Sequence, residues 1–397
     1  VRIADIRWHV CGAGWRNWVF VEVETETGLI GTGEATVEGR ELTITGHLAD
    51  LKRVLVGTDA LGISSLRRRL SRDPFWTGGY VASSGLAGIE IALWDIAGKH
   101  LGVPVWQLLG GRLRESVPAY ANGWYFGAHE IPEWAERAGQ VVDHGFRALK
   151  FDPFGRADLV PSMEEVERSV EIVHAVRAAV GPRVDLLIEG HGRFGVHAAV
   201  GIAERLAQFD CMFFEEPVPP GNADALRRVT DQAPIRIAAG ERAYSRHEAK
   251  ELLERGAIHV LQPDVIHAGG IAETREIAAL AESWFVPVAP HNPNGAVATA
   301  ATLMIDAVIP NFLIQEILEP WDVPWRHLVV RGCPGVVDGH LAIPTQPGLG
   351  VELDHAELAR HPHSPIDPAL WSEDSIMETV DLRPRHLAGS EVSHADA

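Results

Sequence analysis

Between residues 117 and 318 the chain repeats one pattern: a short apolar run that turns polar at its C-terminal end, followed by a longer amphipathic stretch. The runs are VPAYANG (117–123), FRALKFDP (146–153), VDLLIEGHG (184–192), CMFFEEP (211–217), IRIAAGE (235–241), IHVLQPD (258–264), VPVAPHN (286–292) and NFLIQEI (311–317). Each reads as a strand buried on both faces, and the stretches between them, such as MEEVERSVEIVHAVRAAV and AETREIAALAESWF, are built from good helix formers. Strands alternating with helices predict a parallel sheet, and eight such runs in one segment predict a (β/α)8-type barrel over residues 116–330. The first 115 residues differ. WVFVEVET and GLIGTGEATV alternate apolar and polar positions around a Glu-Thr-Gly turn, which predicts an antiparallel meander, and helical spacing follows up to LAGIEIALWDIAGKHLGVPVWQLLGG (86–111), where Gly102 and Pro104 stop it. Residues 1–115 therefore read as an α+β domain. Residues 331–397 are turn-rich, then polar with Pro and His, and are expected to return to the first domain and end in an extended tail whose His355, His361 and His363 are solvated.

Length and charge narrow the function. With 397 residues the chain can bury a large core, and a net charge of −19 without a basic run of five or more residues argues against a nucleic-acid or membrane-surface partner. Cys11, Cys211 and Cys333 are scattered and odd in number, which fits a reducing compartment and no disulfide framework. No window of 18 apolar residues and no signal-like h-region occurs, so the expectation is a soluble protein of the cytoplasm.

The chemistry sits at the ends of the runs. In such a barrel the strand C-termini share one mouth, so Lys150, Asp152, Glu189, His191, Glu215, Glu241, Asp264, His291 and Glu316 become neighbours. Glu189, Glu215 and Glu241 are spaced 26 residues apart, one strand–helix unit each. Three crowded carboxylates repel, and a hard divalent cation relieves them; all-oxygen ligands point to Mg²⁺. Asp264 and His291 end the next two runs, and a carboxylate on one imidazole nitrogen raises the basicity of the other, which makes a general base. His191, two residues beyond Glu189, should face the same side in extended geometry and serve as a general acid, with a fourth metal ligand or a supporting hydrogen bond as its alternatives. Lys150 could bind a carboxylate or orient His191, or be a plain surface charge, and Asp152 could hold a hydroxyl group.

These residues resemble the enolase superfamily, in its mandelate racemase subgroup, over nearly the whole chain. AGIEIALWDIAGKHLGVPVWQLLGG (87–111) looks like the signature at the end of the capping domain; FFEEP (213–217), AAGER (238–242) and QPD (262–264) look like the fourth, fifth and sixth strand ends. The resemblance implies an N-terminal α+β cap, completed by the C-terminal segment, over a modified (β/α)7β TIM barrel, with Mg²⁺ on Glu189, Glu215 and Glu241 and an Asp264–His291 dyad that takes the proton beside a substrate carboxylate. EGHGRF (189–194) looks most like the acid-sugar dehydratases, and the 25-residue step from His291 to Glu316 like the galactonate-dehydratase branch, where Glu316 would hydrogen-bond the substrate carboxylate. Two departures stand out: the implied first ligand is Glu189 where the family usually has Asp, and Lys150-Phe151-Asp152 replaces the Lys-x-Lys of the racemases.

The implied reaction removes the C2 proton of a 2,3-dihydroxy acid with His291, forms an enediolate, and expels the 3-hydroxyl with help from His191, giving a 2-keto-3-deoxy acid. Trp15, Arg16 and Asn17 in CGAGWRNWVF (11–20), with Trp76 and Tyr80 in DPFWTGGYV (73–81), are the candidate substrate-binding lid, or else aromatic packing between domains. The rival readings are a sugar-acid epimerase or lactone cycloisomerase on the same metal site, and a non-catalytic barrel that binds an acid. The partner is thus a small carboxylate substrate, and the resemblance suggests a symmetric homo-oligomer, often an octamer.

Overall fold

The alternation near the N-terminus builds a three-stranded antiparallel sheet, β1 (Ile3–Ala13), β2 (Arg16–Thr25) and β3 (Ile30–Glu34), in that order. The computed structural model describes residues 1–72 and 75–365. Helices α1 (Glu41–Leu55), α2 (Ile63–Arg72) and α3 (Tyr80–Leu101) pack on the sheet, and the short α4 (Val105–Leu108) leads away. By length and composition α3 could cross a membrane, but it is a core helix, mostly buried. Its Ile89, Ala92, Leu93 and Ile96 join the core of the small sheet, while Ala87 and Ile91 join the core of the barrel, so a helix apolar all round has two partners. Glycine permits this contact: a Cβ on Gly33 of β3 would come within 2.0 Å of the Gly88 carbonyl of α3.

The barrel strands are β4 (Ser116–Ala121), β5 (Ala148–Phe151), β6 (Asp185–Glu189), β7 (Phe213–Glu215), β8 (Ile237–Ala239), β9 (Val260–Leu261) and β10 (Gln315–Ile317). They pair in parallel in chain order from β4 to β9, and β10 pairs with β4. The expected strand over 286–292 is reduced to isolated bridges, Val288 with Leu261 and Phe312, and His291 with Asp264. Pro287 and Pro290 explain this, since neither can donate to a ladder. The run nevertheless fills the seventh position, and the ring closes. Helices α5 (Ile131–Asp143), α6 (Met163–Val180), α7 (Val196–Leu206), α8 (Ala223–Thr230), α9 (Arg246–Arg255), α10 (Ile271–Ser283) and α11 (Ala296–Asp306) follow the first seven positions, and the eighth strand lacks a long one: the fold is (β/α)7β.

Two buried carboxylates join the small sheet and its helices to the barrel. Glu34 accepts the backbone N–H groups of Gly295 and Ala298 at the start of α11, at 2.8 and 2.9 Å, and Glu90 of α3 accepts those of Ile271 and Ala272 at the start of α10, at 2.8 and 2.9 Å. Each places a negative group where a helix presents unpaired donors, which also fixes the cap above the strand C-termini.

The C-terminal residues divide between both parts. After α12 (Arg326–Val329) and β11 (Val330–Arg331), the hairpin of β12 (Val336–Val337) and β13 (His340–Ala342) pairs antiparallel with β4. Leu349 then donates to Asp95 of α3, β14 (Glu352–Leu353) pairs with β11, and α13 (His355–Leu358) leads to residues 361–364, which bond to Gly12 and Asn17. Residues 366–397 of the expected tail, and Asp73 and Pro74 of the second lid segment, lie outside the described residues.

Asp306, at the end of α11, is fully buried and neither carboxylate oxygen has a hydrogen-bond partner, so burial pushes its carboxyl well above the usual range. A raised folded-state value means that its contribution to stability is complete below the unfolded-state value and is lost as pH rises through the raised one. Asp306→Asn is therefore expected to stabilise the protein at pH 8, by about 1–3 kcal/mol, and to flatten the loss of stability with rising pH; urea unfolding at pH 5 and pH 8 measures both.

Candidate active site

Strand alternation stacks the barrel interior in layers. Tyr120, Ala148, Leu187, Phe213, Ala238, Val260, Ala289 and Ile314, one from each position of the ring, form an apolar cluster. Two residues further along each strand the same side carries Asn122, Lys150, Glu189, Glu215, Gly240, Gln262, His291 and Glu316. A polar layer thus lies directly on an apolar floor. Gly240 supplies no side chain, and its φ of 135° turns the chain at the end of β8 just before Glu241. A Cβ there would meet Gln262 N at 2.9 Å.

Glu189, Glu215 and Glu241 each offer a carboxylate oxygen, and these lie within 4.8 Å of one another. The first two are buried, and Glu215 Oε2 accepts no hydrogen bond. Burial, and the charge of Glu189 beside it, push the Glu215 carboxyl well up. Buried, mutually repelling oxygens with an orphaned acceptor fit a hard divalent cation. The Lys150 ammonium already offsets part of this charge, 2.9 Å from Glu215 Oε1, 3.3 Å from Glu189 Oε2 and 2.9 Å from Glu316 Oε1.

Two Asp–His pairs face this cluster from opposite sides of the ring, on its third and seventh positions. The His291 Nδ1 is 2.9 Å from Asp264 Oδ2, and its Nε2 is 3.3 Å from Glu241 Oε2. Asp264 also accepts from Ile266 N, His267 N and Asn294 Nδ2, so its orientation is fixed. Burial by itself would lower the His291 imidazole, but Glu241, Glu316 and Asp264 outweigh it and push it up to about 10. Asp264 is held down to about 2: burial would raise it, and His267 and His291 prevail. Across the mouth, His191 Nδ1 is 2.6 Å from Asp152 Oδ2. Burial opposes its protonation, yet Glu189 and Asp152 raise it.

Several sequence expectations change here. His191 is not extended: its φ is 47°, its N–H donates to Glu189 Oε1 at 2.6 Å, and β6 has already ended. Asp152 is not free for a sugar hydroxyl, because its carboxylate is taken by His191, Arg193 and Phe154 N. Lys150 is no plain surface charge: it is buried, with its ammonium among Glu189, Glu215 and Glu316. Glu316 is surrounded by donors, Asn122 Nδ2 at 2.7 Å and Lys150 on one oxygen and Asn292 N at 2.8 Å on the other. Burial would raise its carboxyl, but Lys150 and His291 lower it.

The lid candidates disperse. Arg16 is buried, paired to Asp322 at 2.8 Å and stacked on Trp15 with its guanidinium carbon 4.5 Å from the ring centre. Asn17 is buried between Glu41 and Ser364. Both join the cap to other segments instead of lining a lid. Trp15 packs edge-on against Phe126 of the β4–α5 connection. Tyr80 donates to the Arg242 carbonyl at 3.1 Å and borders a cavity of about 240 Å³ with Glu216, Arg242 and Tyr244. Trp76 is 87% exposed and touches Phe75. A larger cavity, about 330 Å³, adjoins Asp152 and is lined by Tyr125, Trp134, Phe154 and Arg156. Asn122, Arg193 and Arg242 escaped the sequence reading, although Asn122 occupies the same layer as Lys150 and its parity along β4 marks it.

Comparison with known proteins agrees with this architecture. Residues 6–110 match the mandelate racemase / muconate lactonizing enzyme N-terminal domain, and residues 133–357 match the enolase C-terminal domain-like family. The chain is 38% identical to a D-galactonate dehydratase of Xanthomonas axonopodis pv. citri, covering 91% of this chain and 96% of that protein. It is 36% identical to a D-gluconate dehydratase of Thermoproteus tenax, covering 91% of this chain and 73% of that protein. Among solved structures, a mandelate racemase/muconate lactonizing enzyme from Jannaschia sp. CCS1 superposes with a TM-score of 0.86 at 33% identity, covering 92% of this chain and 98% of that one. A member of the enolase superfamily from Salmonella Typhimurium superposes with a TM-score of 0.87 at 28% identity, covering 91% and 98%.

Proposed function

The chain belongs to the enolase superfamily, in its mandelate racemase/muconate lactonizing group, and on that premise we propose that it is a Mg²⁺-dependent dehydratase of a sugar acid, a carbon–oxygen lyase. The observation that carries this reading is the pair of Asp-bound imidazoles, His291 and His191, facing each other across three crowded carboxylates. The relatives named D-galactonate and D-gluconate dehydratases support the substrate class.

Glu189, Glu215 and Glu241 would hold the cation, which when bound supplies positive charge to a substrate carboxylate as negative charge builds there. His291 Nε2 takes the C2 proton. Asp264 on Nδ1 fixes the tautomer that leaves Nε2 able to accept it and stabilises the imidazolium that results. Glu241 is the largest of the charges that hold His291 protonated, so its engagement as a metal ligand would leave His291 closer to a base that works near neutral pH. His191, whose protonated form the Asp152 carboxylate on Nδ1 favours, gives its proton to the departing 3-hydroxyl. Lys150, Asn122 and Asn292 hold the Glu316 carboxylate in place at the mouth, where it would meet the substrate carboxylate. The enol left after loss of water becomes a 2-keto-3-deoxy acid.

A panel of aldonic and aldaric acids incubated with Mg²⁺ and scored for 2-keto acid tests the proposal. Mass-conserving conversion of any acid in that panel, without keto acid, would turn the assignment to an epimerase. Dialysis against EDTA is expected to abolish keto-acid formation and Mg²⁺ to restore it. Glu215→Gln is expected to raise the Mg²⁺ concentration needed for half-activity by more than the roughly 10–100-fold that loss of a mere supporting partner costs; an unchanged Mg²⁺ titration would remove Glu215 from the ligand set.

A further inference from the structure

A second convergence of donor atoms lies outside the barrel, on the three-stranded sheet. The β1–β2 ladder pairs Arg7 with Glu22 and His9 with Phe20, so His9 and Glu22 are diagonal neighbours. His9 Nε2 is 2.9 Å from Glu22 Oε2. From the far end of the sequence, His355 at the start of α13 brings its Nε2 to 3.2 Å from Glu22 Oε1, and the two imidazole rings meet edge to face with centroids 5.0 Å apart. One nitrogen from each ring and one carboxylate oxygen all lie within 4.8 Å of one another. Glu22 is only 4% exposed whereas the His355 side chain is 56% exposed, so the cluster has a fixed base and a side open to water. The sequence reading left His355 as a solvated tail residue, because its partners are more than 300 positions away.

We infer that His9, Glu22 and His355 form a site for a borderline divalent transition ion of the Zn²⁺ class, with water completing the coordination. Tetrahedral bonds of about 2.0–2.1 Å set neighbouring donors roughly 3.3 Å apart, close to the spacing of both imidazoles from the carboxylate. Two imidazoles with one carboxylate favour Zn²⁺, Ni²⁺ or Cu²⁺ over Mg²⁺, the opposite preference to the all-oxygen cluster in the barrel. The opposing charge is Arg7, whose Nε is 3.8 Å from Glu22 Oε2, and its guanidinium is drawn aside by Glu24 at 2.5 Å and Asp5 at 3.6 Å. A bound ion would fasten the C-terminal segment to the first hairpin, reinforcing contacts that already run there: Gly12 N to His361 O and Ser364 N to Asn17 Oδ1, each 2.9 Å. Structural work of this kind shares no residue with the barrel cluster and does not depend on the dehydratase reading.

The test uses the full chain in excess Mg²⁺, which keeps the barrel cluster filled, with Zn²⁺ as the probe. Metal analysis after equilibrium dialysis is expected to find one more Zn²⁺ per chain in the wild type than in His9→Ala or His355→Ala. Zn²⁺ at about 100 times its Kd should raise the wild-type Tm by several degrees and leave that of both variants unmoved. His355 is exposed, so His355→Ala should fold and keep its Mg²⁺-dependent behaviour, and Co²⁺ in place of Zn²⁺ should give a visible ligand-field band in the wild type that this variant lacks. Equal Zn²⁺ stoichiometry in all three proteins, or a Zn²⁺-induced Tm shift that survives in His355→Ala, would overturn the site.

Discussion

His291→Asn is expected to fold, to retain Mg²⁺, and to lose at least 10²–10⁴-fold in turnover, the range that general base catalysis commonly contributes. Lys150 is fully engaged with Glu189, Glu215 and Glu316, and His191 lies across the ring. The variant should also fail to exchange the C2 proton of the substrate with solvent deuterium, since exchange needs the same proton transfer. Asp264→Asn should follow in the same direction, because an amide on Nδ1 no longer fixes the tautomer or stabilises the imidazolium. Steady-state kinetics with C2 exchange measured by NMR checks both; turnover in His291→Asn within threefold of the wild type would assign the base elsewhere.

His191→Asn separates the two halves of the reaction. If His291 takes the C2 proton and His191 serves as the acid, as proposed, exchange should continue in this variant while keto-acid formation falls by about 10²–10⁴-fold. Asp152→Asn acts through His191 and is a positioning change. Its signature is a pH profile whose alkaline limb moves to lower pH, as the imidazole loses a carboxylate that favours its protonated form. A variant that lost exchange and product equally would show that His191 serves deprotonation or substrate placement instead.

Most of the barrel is legible in the sequence because each strand of a closed parallel ring is buried on both faces and announces itself as an apolar run. The mouth residues follow from the same geometry: Glu189, Glu215, His291 and Glu316 each stand two residues beyond a member of the apolar floor. Glu241 breaks this parity, and only the turn at Gly240 explains it. What could not be read was how the side chains share one another. Asp152 and Lys150 are two residues apart, yet Asp152 turns to His191 and Arg193 while Lys150 turns to three glutamates, a choice made by packing across strands. The lid residues failed for a related reason. Arg16 and Asn17 are polar and glycine-flanked, as a mobile loop would be, but their partners Asp322 and Ser364 lie 306 and 347 positions away, and pairing at that range leaves no local trace.

The most direct measurement is an NMR time course in D₂O, with Mg²⁺, of the wild type, His191→Asn and His291→Asn acting on D-galactonate and D-gluconate. The wild type is expected to convert at least one of them to a 2-keto-3-deoxy acid with a solvent deuteron at C3, His191→Asn to exchange C2 without product, and His291→Asn to do neither. A 2-keto-3-deoxy acid formed by His291→Asn at the wild-type rate, or recovery of both acids from the wild type with C2 unexchanged, would contradict dehydration through this site.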